Sequence, residues 1–271
     1  MIVDYHMHLR DQGGRIALEA AAVEPFVETA AARGIEEIGF TEHVYYFRQT
    51  REVWHLPYHT ERCVYDLDAY CNAVVEAKRM GLPVKLGLEV DFVGERQERL
   101  SELLAPYPWD YLLGSVHEVG DRAVDQRPGV WEALEVEAAW EGYVGSLEEL
   151  ARSGVVDVLA HPDLAKIYGL RPDAGRLTAL NERAASEIAL GGVAVEISTA
   201  GLRKPVGELY PDLGFLQACA RRGVPITLAS DAHAPELVGE DFDLALELAR
   251  AAGYETVTVF EGRRGRQEPL P

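Results

Sequence analysis

The 271-residue chain carries 45 Asp and Glu against 26 Lys and Arg, a net charge of −19, and 48% of it is hydrophobic. That length and apolar content suffice for one large α/β domain over residues 1–271, and no apolar run is long enough to suit a membrane. So acidic a chain repels a phosphate backbone, which argues against nucleic-acid partners; a small phosphate ester remains open, because bound divalent ions reverse the local potential.

The first apolar run, 2–5, closes on His6 and His8. Residues two apart along a strand point to the same face, and two imidazoles side by side in a fold interior are poorly satisfied without a metal. Helical periodicity follows over 16–33, with Gly34 as a stop. The run 37–40 leads into Thr41-Glu42-His43. The stretch 44–66, with Tyr45, Tyr46, Trp54 and Tyr58, has the composition of an insertion near a site. His55 and His59 lie in that stretch and are read as surface or hydrogen-bonded residues rather than ligands.

A helix is expected over 67–80, ending at Gly81. The run 84–89 closes on Glu89, and an ionised carboxylate at the end of an apolar strand needs a partner. A metal supplies one, and one carboxylate can bridge two ions. His117 follows the run 111–115, and His161 follows 156–160. Helices are expected over 131–152, 177–190 and 213–222, with Gly154, Gly191 and Gly223 at their ends. The run 193–198 precedes Ser198-Thr199-Ala200-Gly201. The last such run, 226–230, closes on Asp231 and His233, and 256–260 reads as a further strand at an edge.

Continuous apolar strands alternating with helices predict a parallel sheet covered by helices. An open doubly wound sheet and a closed barrel both fit that alternation. The ligand distribution favours closure, because donors after six different runs converge only if all strand C-termini surround one mouth. The expected fold is therefore a seven-stranded, TIM-like (β/α) barrel with a metal site at the C-terminal ends of its strands. Imidazole and carboxylate donors suit zinc, iron or manganese. Cys63, Cys71 and Cys219 form no CxxC pair and are odd in number, which fits reduced thiols in a cytoplasmic protein.

Six motifs in order along the chain resemble the PHP (polymerase and histidinol phosphatase) family: Asp4-Tyr5-His6-Met7-His8, Thr41-Glu42-His43, Gly87-Leu88-Glu89, Gly114-Ser115-Val116-His117, Ala160-His161-Pro162-Asp163 and Ser230-Asp231-Ala232-His233. The resemblance implies a distorted seven-stranded barrel holding up to three metal ions. It assigns His6, His8, Glu89 and Asp231 to one ion, and Glu89, His117 and His161 to a second. The third takes His43, His233 and a residue of the loop after the first strand. Many relatives have a histidine in that loop; Asp11 stands in for it here. Glu196-Ile197-Ser198-Thr199-Ala200-Gly201-Leu202-Arg203-Lys204, Tyr210-Pro211 and His161-Pro162-Asp163-Leu164-Ala165-Lys166 look like the histidinol-phosphatase branch.

That branch implies hydrolysis of L-histidinol phosphate, with Lys166 and Arg203 contacting phosphate oxygens. Asp231 and His233 are the expected aids to leaving-group protonation, and Glu42 or Asp91 the expected attraction for the substrate amine. The competing readings are a PHP nucleotide phosphatase or exonuclease, a non-catalytic metal-binding domain, and amidohydrolase-type C–N hydrolysis. Glu89 in place of a bridging lysine speaks against the last. Homo-oligomerisation stays open.

Overall fold

Residues 1–9, 15–126 and 129–271 are described by the computed structural model of the chain. Its strands are β1 (Val3–Asp4), β2 (Glu37–Phe40), β3 (Val84–Leu86), β4 (Glu89–Asp91), β5 (Leu113–Ser115), β6 (Glu118–Val119), β7 (Arg122–Ala123), β8 (Val158–Leu159), β9 (Ala194–Ser198), β10 (Ile226–Ala229), β11 (Thr256–Glu261) and β12 (Arg264–Pro269). Its helices are α1 (Glu24–Ala32), α2 (Pro57–Thr60), α3 (Leu67–Arg79), α4 (Gln97–Leu104), α5 (Val136–Arg152), α6 (Ala174–Gly191), α7 (Leu213–Ala220) and α8 (Phe242–Ala252). Side chains of Asp66, Asp173 and Asp212 accept backbone N–H bonds at the starts of α3, α6 and α7, meeting donors that a helix start leaves unpaired.

The fold is α/β. Five parallel strands form one sheet in the order β10-β9-β8-β5-β4, and β1-β2-β3 form a second parallel sheet. Backbone bonds also cross between the sheets. Tyr5 N donates to Leu228 O at 3.0 Å and His8 N to Ala232 O at 2.7 Å. On the other side Gly87 N donates to Phe40 O and Glu89 N to Glu42 O. These strands are buried along their length apart from Glu37 at the start of β2, as expected for parallel strands flanked by helices.

The expected strand 256–260 belongs to neither parallel sheet. Thr256–Glu261 pairs antiparallel with Arg264–Pro269, a hairpin lying at the beginnings of the parallel strands. Arg263 donates to Asp157 just before β8 and to Asp110 O before β5, while Lys85 in β3 pairs with Glu261. Tyr5, Tyr111 and Phe260 stack beneath the sheets, with Tyr5 and Tyr111 ring centroids 4.9 Å apart. Tyr111 Oη reaches Tyr5 O at 2.7 Å by passing over Gly39, where a Cβ would lie 2.0 Å from it. Helices α2, α4 and α8, the short β6–β7 pair and β12 are absent from the sequence expectation.

One helix stop moves by a residue. Gly192, with φ 69°, takes the left-handed turn, while Gly191 remains in α6 and packs so close to α5 that a Cβ there would lie 2.1 Å from Ala151 O. All three cysteines are buried and unbonded to one another, and among the described residues no helix is long and apolar enough to cross a membrane.

Candidate metal centre

Eight of the nine expected ligands lie where a parallel strand ends or begins its exit loop, and the structure brings all eight together. His6 and His8 flank Met7, which bridges in parallel fashion to Ala232 and so ties the first exit loop to the last. Glu89 bridges to His43 in the same way. Glu89 is the hub. Its Oε2 lies 2.6 Å from His43 Nδ1, 3.5 Å from His6 Nε2 and 3.8 Å from His8 Nε2. Its Oε1 lies 3.3 Å from His161 Nε2 and 3.5 Å from His117 Nε2. Asp231 Oδ1 is 3.2 Å from His8 Nε2 and 3.6 Å from His6 Nε2, and His233 packs its ring 4.1 Å from that of His8.

Two of these residues have backbones in the left-handed region although neither is glycine: His161 with φ 28° and Asp231 with φ 51°. Such strain persists only where surrounding contacts over-determine it. Those contacts are visible. Asp4 accepts bonds from Ser230 N, Ser230 Oγ and Gly239 N, holding the turn that carries Asp231. Glu196 accepts from His161 N at 2.9 Å, and Tyr143 Oη donates to His161 O.

Among the described residues, four sets of three donors have ligand atoms within 4.8 Å of one another: His6, His8 and Asp231; His6, Glu89 and His161; His8, His43 and His233; and His43, Asp91 and His117. His6 Nε2 is buried with no hydrogen-bond partner among the described residues. Apposed donors at 3.2–3.8 Å, all borderline or hard, fit divalent ions better than they fit one another.

The charges tell the same story. Burial alone would push the His6 pKa down, yet Glu196, Asp231 and Glu89 hold it well above the imidazole range. Burial likewise lowers and Asp91 and Glu89 raise His117, leaving it at about 10. In Glu89 and Asp231, burial would raise the pKa, but the surrounding imidazoles hold both carboxyls well below their usual range. This buried set requires positive charge, supplied by protons or by metal ions.

The cavity above these donors has a volume of about 360 Å³, and its lining includes His43, Glu89, His117, His161, Asp231 and His233. The PHP domain family matches residues 5–200. The chain belongs to the PHP family.

Within it, the chain stands in the histidinol-phosphatase branch. It is 34% identical over 236 residues to a probable histidinol-phosphatase of Deinococcus radiodurans, covering 86% of this chain and 88% of that protein. A histidinol-phosphatase of Lactococcus lactis is 26% identical, with 97% of this chain and 95% of the relative covered. The crystal structure of the Lactococcus lactis histidinol phosphate phosphatase, complexed with zinc, L-histidinol and phosphate, shares the fold: TM-score 0.73, 21% identity, 98% of each chain covered.

In this PHP domain the segment 44–66 supplies Tyr45, Tyr46, Tyr58 and His59 to the cavity wall. His59, expected as a bystander, is buried and faces Glu118 at 3.4 Å, while His55 is exposed beside Asp121. Asp11 lies outside the described residues. Among those described, His8 completes a set of three with His43 and His233.

Of the four expected substrate contacts, Asp91 lines the cavity and the other three do not. Lys166 is fully buried, its Nζ 2.8 Å from Asp163 and donating to Leu209 O at 2.7 Å, and it is absent from the cavity lining. Arg203 donates to Ser230 O and pairs with Glu240 at 3.2 Å, also off the lining. Among the described residues, the lysine that lines the cavity is Lys204, the next residue along, and it is exposed. Glu42 and Asp91 are buried against imidazoles: Glu42 lies 3.4 Å from His8 Nδ1 and Asp91 2.6 Å from His117 Nδ1. Carboxylates in that position orient a ligand imidazole and raise its basicity.

Glu196 was missed as a site residue. It sits in the middle of β9, fully buried, with Oε2 2.9 Å from His6 Nδ1. The signal was present in the sequence: an ionisable residue inside an apolar strand needs a partner, as Glu89 does.

Proposed function

We propose that this protein is a metal-dependent phosphomonoesterase that hydrolyses L-histidinol phosphate to L-histidinol and phosphate, a step of histidine biosynthesis, in the cytoplasm. The observation that carries the chemistry is the convergence of six imidazoles and the Asp231 carboxylate on or beside Glu89. The substrate assignment leans on the histidinol-phosphatase relatives that span nearly the whole chain.

In this reading the two parallel sheets act as one distorted seven-stranded barrel spanning residues 1–271, with 44–66 as an insertion. Counting β3 and β4 as one interrupted strand gives the seven, and the bonds from Tyr5 to Leu228 and from His8 to Ala232 support the closure. Up to three divalent ions, zinc, iron or manganese, fit these donors. His6, His8, Glu89 and Asp231 would hold one; Glu89, His117 and His161 the second; His43 and His233, with Asp11 or His8, the third.

Bound divalent ions would neutralise phosphate charge and lower the pKa of a water at the site. The chain's own residues do the rest. Glu196, Glu42 and Asp91 fix the imidazoles of His6, His8 and His117 through their Nδ1 atoms, leaving Nε2 for the centre. Lys204 brings a positive charge to the cavity wall for the phosphate oxygens. His233, the most exposed of the imidazoles at the centre, and Asp231 are placed to assist protonation of the leaving alkoxide. The net charge of −19 supports a small ester over a nucleic acid.

The deciding measurement is phosphate release by zinc-loaded and metal-stripped protein from L-histidinol phosphate, nucleoside monophosphates and single-stranded DNA. Metal-dependent turnover with preference for L-histidinol phosphate is expected. Efficient nucleotide or DNA cleavage with none of histidinol phosphate would overturn the reading.

A further inference from the structure

Two polar atoms on the cavity wall stand apart from the metal-binding set. Tyr210 is 1% exposed, and its hydroxyl has no hydrogen-bond partner among the described residues. Asp125 Oδ1 is also buried and without a partner among them, and no described basic side chain lies within ion-pair distance of that carboxylate. A buried hydroxyl donor and a buried carboxylate acceptor left unmatched are costly, and they are retained where a ligand completes them.

Both residues are held firmly. Tyr210 exchanges backbone bonds with Ser198, N to O at 3.0 Å and O from N at 2.6 Å, so its ring is set against the end of β9. That ring lies edge-on to His161, with centroids 6.3 Å apart, which puts the phenol beside the metal-binding end of the cavity. Asp125 is held through its own carbonyl and through the backbone of Val124 before it. Val124 N donates to His117 O at 2.9 Å, Trp131 Nε1 to Val124 O at 2.7 Å and Tyr168 Oη to Asp125 O at 2.7 Å. Glu118 lines the same wall, so this part of the cavity favours positive charge.

We propose that Tyr210 and Asp125 form the specificity site of the enzyme, selecting phosphate monoesters that carry an ammonium group. The Tyr210 hydroxyl donates to an oxygen of the phosphate ester, and the Asp125 carboxylate receives the ammonium. This rests on the phosphatase reading above and adds what that reading lacks: the group that recognises the amine once Glu42 and Asp91 are committed to His8 and His117.

The test is steady-state kinetics of the zinc-loaded protein on L-histidinol phosphate and on the analogue lacking only its amine, 3-(imidazol-4-yl)propyl phosphate. Wild type is expected to favour the amine-bearing ester by ~10- to 100-fold in kcat/KM, the scale of one charge-assisted hydrogen bond. Asp125→Asn should collapse that ratio to within ~3-fold, mostly through loss on the amine-bearing ester. Tyr210→Phe should lower kcat/KM on both esters by ~10-fold and weaken inhibition by inorganic phosphate, with no fall in melting temperature, because the hydroxyl has no partner to lose among the described residues.

An Asp125→Asn enzyme that keeps the wild-type ratio, or a Tyr210→Phe enzyme with unchanged kinetics and phosphate inhibition, overturns the proposal while the phosphatase reading stands. A wild type that hydrolyses neither ester removes the phosphatase reading itself, and the specificity site with it.

Discussion

His6 Nδ1 and the Glu196 carboxylate face each other at 2.9 Å, both fully buried, and the second Glu196 oxygen receives His161 N. One carboxylate in the middle of β9 thereby orients an imidazole from the first exit loop and the backbone of another that follows β8. Glu196→Gln keeps the shape and removes the charge. It should weaken metal binding by ~10- to 100-fold, the usual effect of losing the carboxylate behind a ligand histidine. Competition with a chelator of known affinity measures this, and unchanged affinity would show that Glu196 only packs.

Metal and protons compete for the same buried donors. The pKa of His6 is held well above its unfolded value, so its stabilising contribution without metal is complete below the unfolded pKa and lost as pH rises through the folded one. A bound ion replaces that proton. The gain in melting temperature from zinc over chelator-treated protein should therefore be larger at about pH 8 than at about pH 6. A gain that shrinks as pH rises contradicts this assignment of charge.

Asp4 offers a stability test on the turn that carries Asp231. Burial raises its pKa to about 6, against the lowering effect of its bonds from Ser230 and Gly239. A carboxyl whose folded pKa is raised contributes stability below its unfolded value, and that contribution is lost as pH rises through about 6. Between about pH 4 and pH 6, metal-free wild type should lose up to ~3 kcal/mol relative to Asp4→Asn, which does not titrate. Denaturant midpoints at several pH values for the two proteins give the comparison.

Lys166 and Lys204 should separate cleanly. Lys166→Met leaves Asp163 buried opposite an apolar chain and should cost ~3–5 kcal/mol of stability, as breaking a buried pair does. Lys204→Ala, at an exposed position on the cavity wall, should change stability by less than ~0.5 kcal/mol. Its effect should fall on KM and on inhibition by phosphate, raising both constants by ~10-fold. A raised KM at unchanged stability for Lys166→Met would instead place Lys166 against the substrate.

Much of the site was legible because strand ends are legible. His6, His8, His43, Glu89, His117, His161, Asp231 and His233 each follow or close an apolar run, and parallel strands deliver their C-terminal ends to one side. The partners behind the ligands were harder. Glu42 and Asp91 looked like mouth residues because sequence separates them from His8 and His117 by 34 and 26 positions, whereas the folded chain puts them in hydrogen-bond contact. Lys166 and Arg203 matched a motif, yet their charged ends turn to Asp163 and to Ser230 O and Glu240. A one-residue step to Lys204 reaches the cavity instead.

By itself the sequence determined the alternation of strands and helices, the donor set and its order along the chain, since each depends on residue type and local spacing. Only the tertiary structure decided which imidazole each carboxylate holds, which cations face the cavity, and that Tyr210 and Asp125 share its wall with unmatched polar atoms. The reason is physical: burial and hydrogen bonding are properties of neighbours brought from distant parts of the chain, and a charged side chain has no assigned partner until those neighbours are in place.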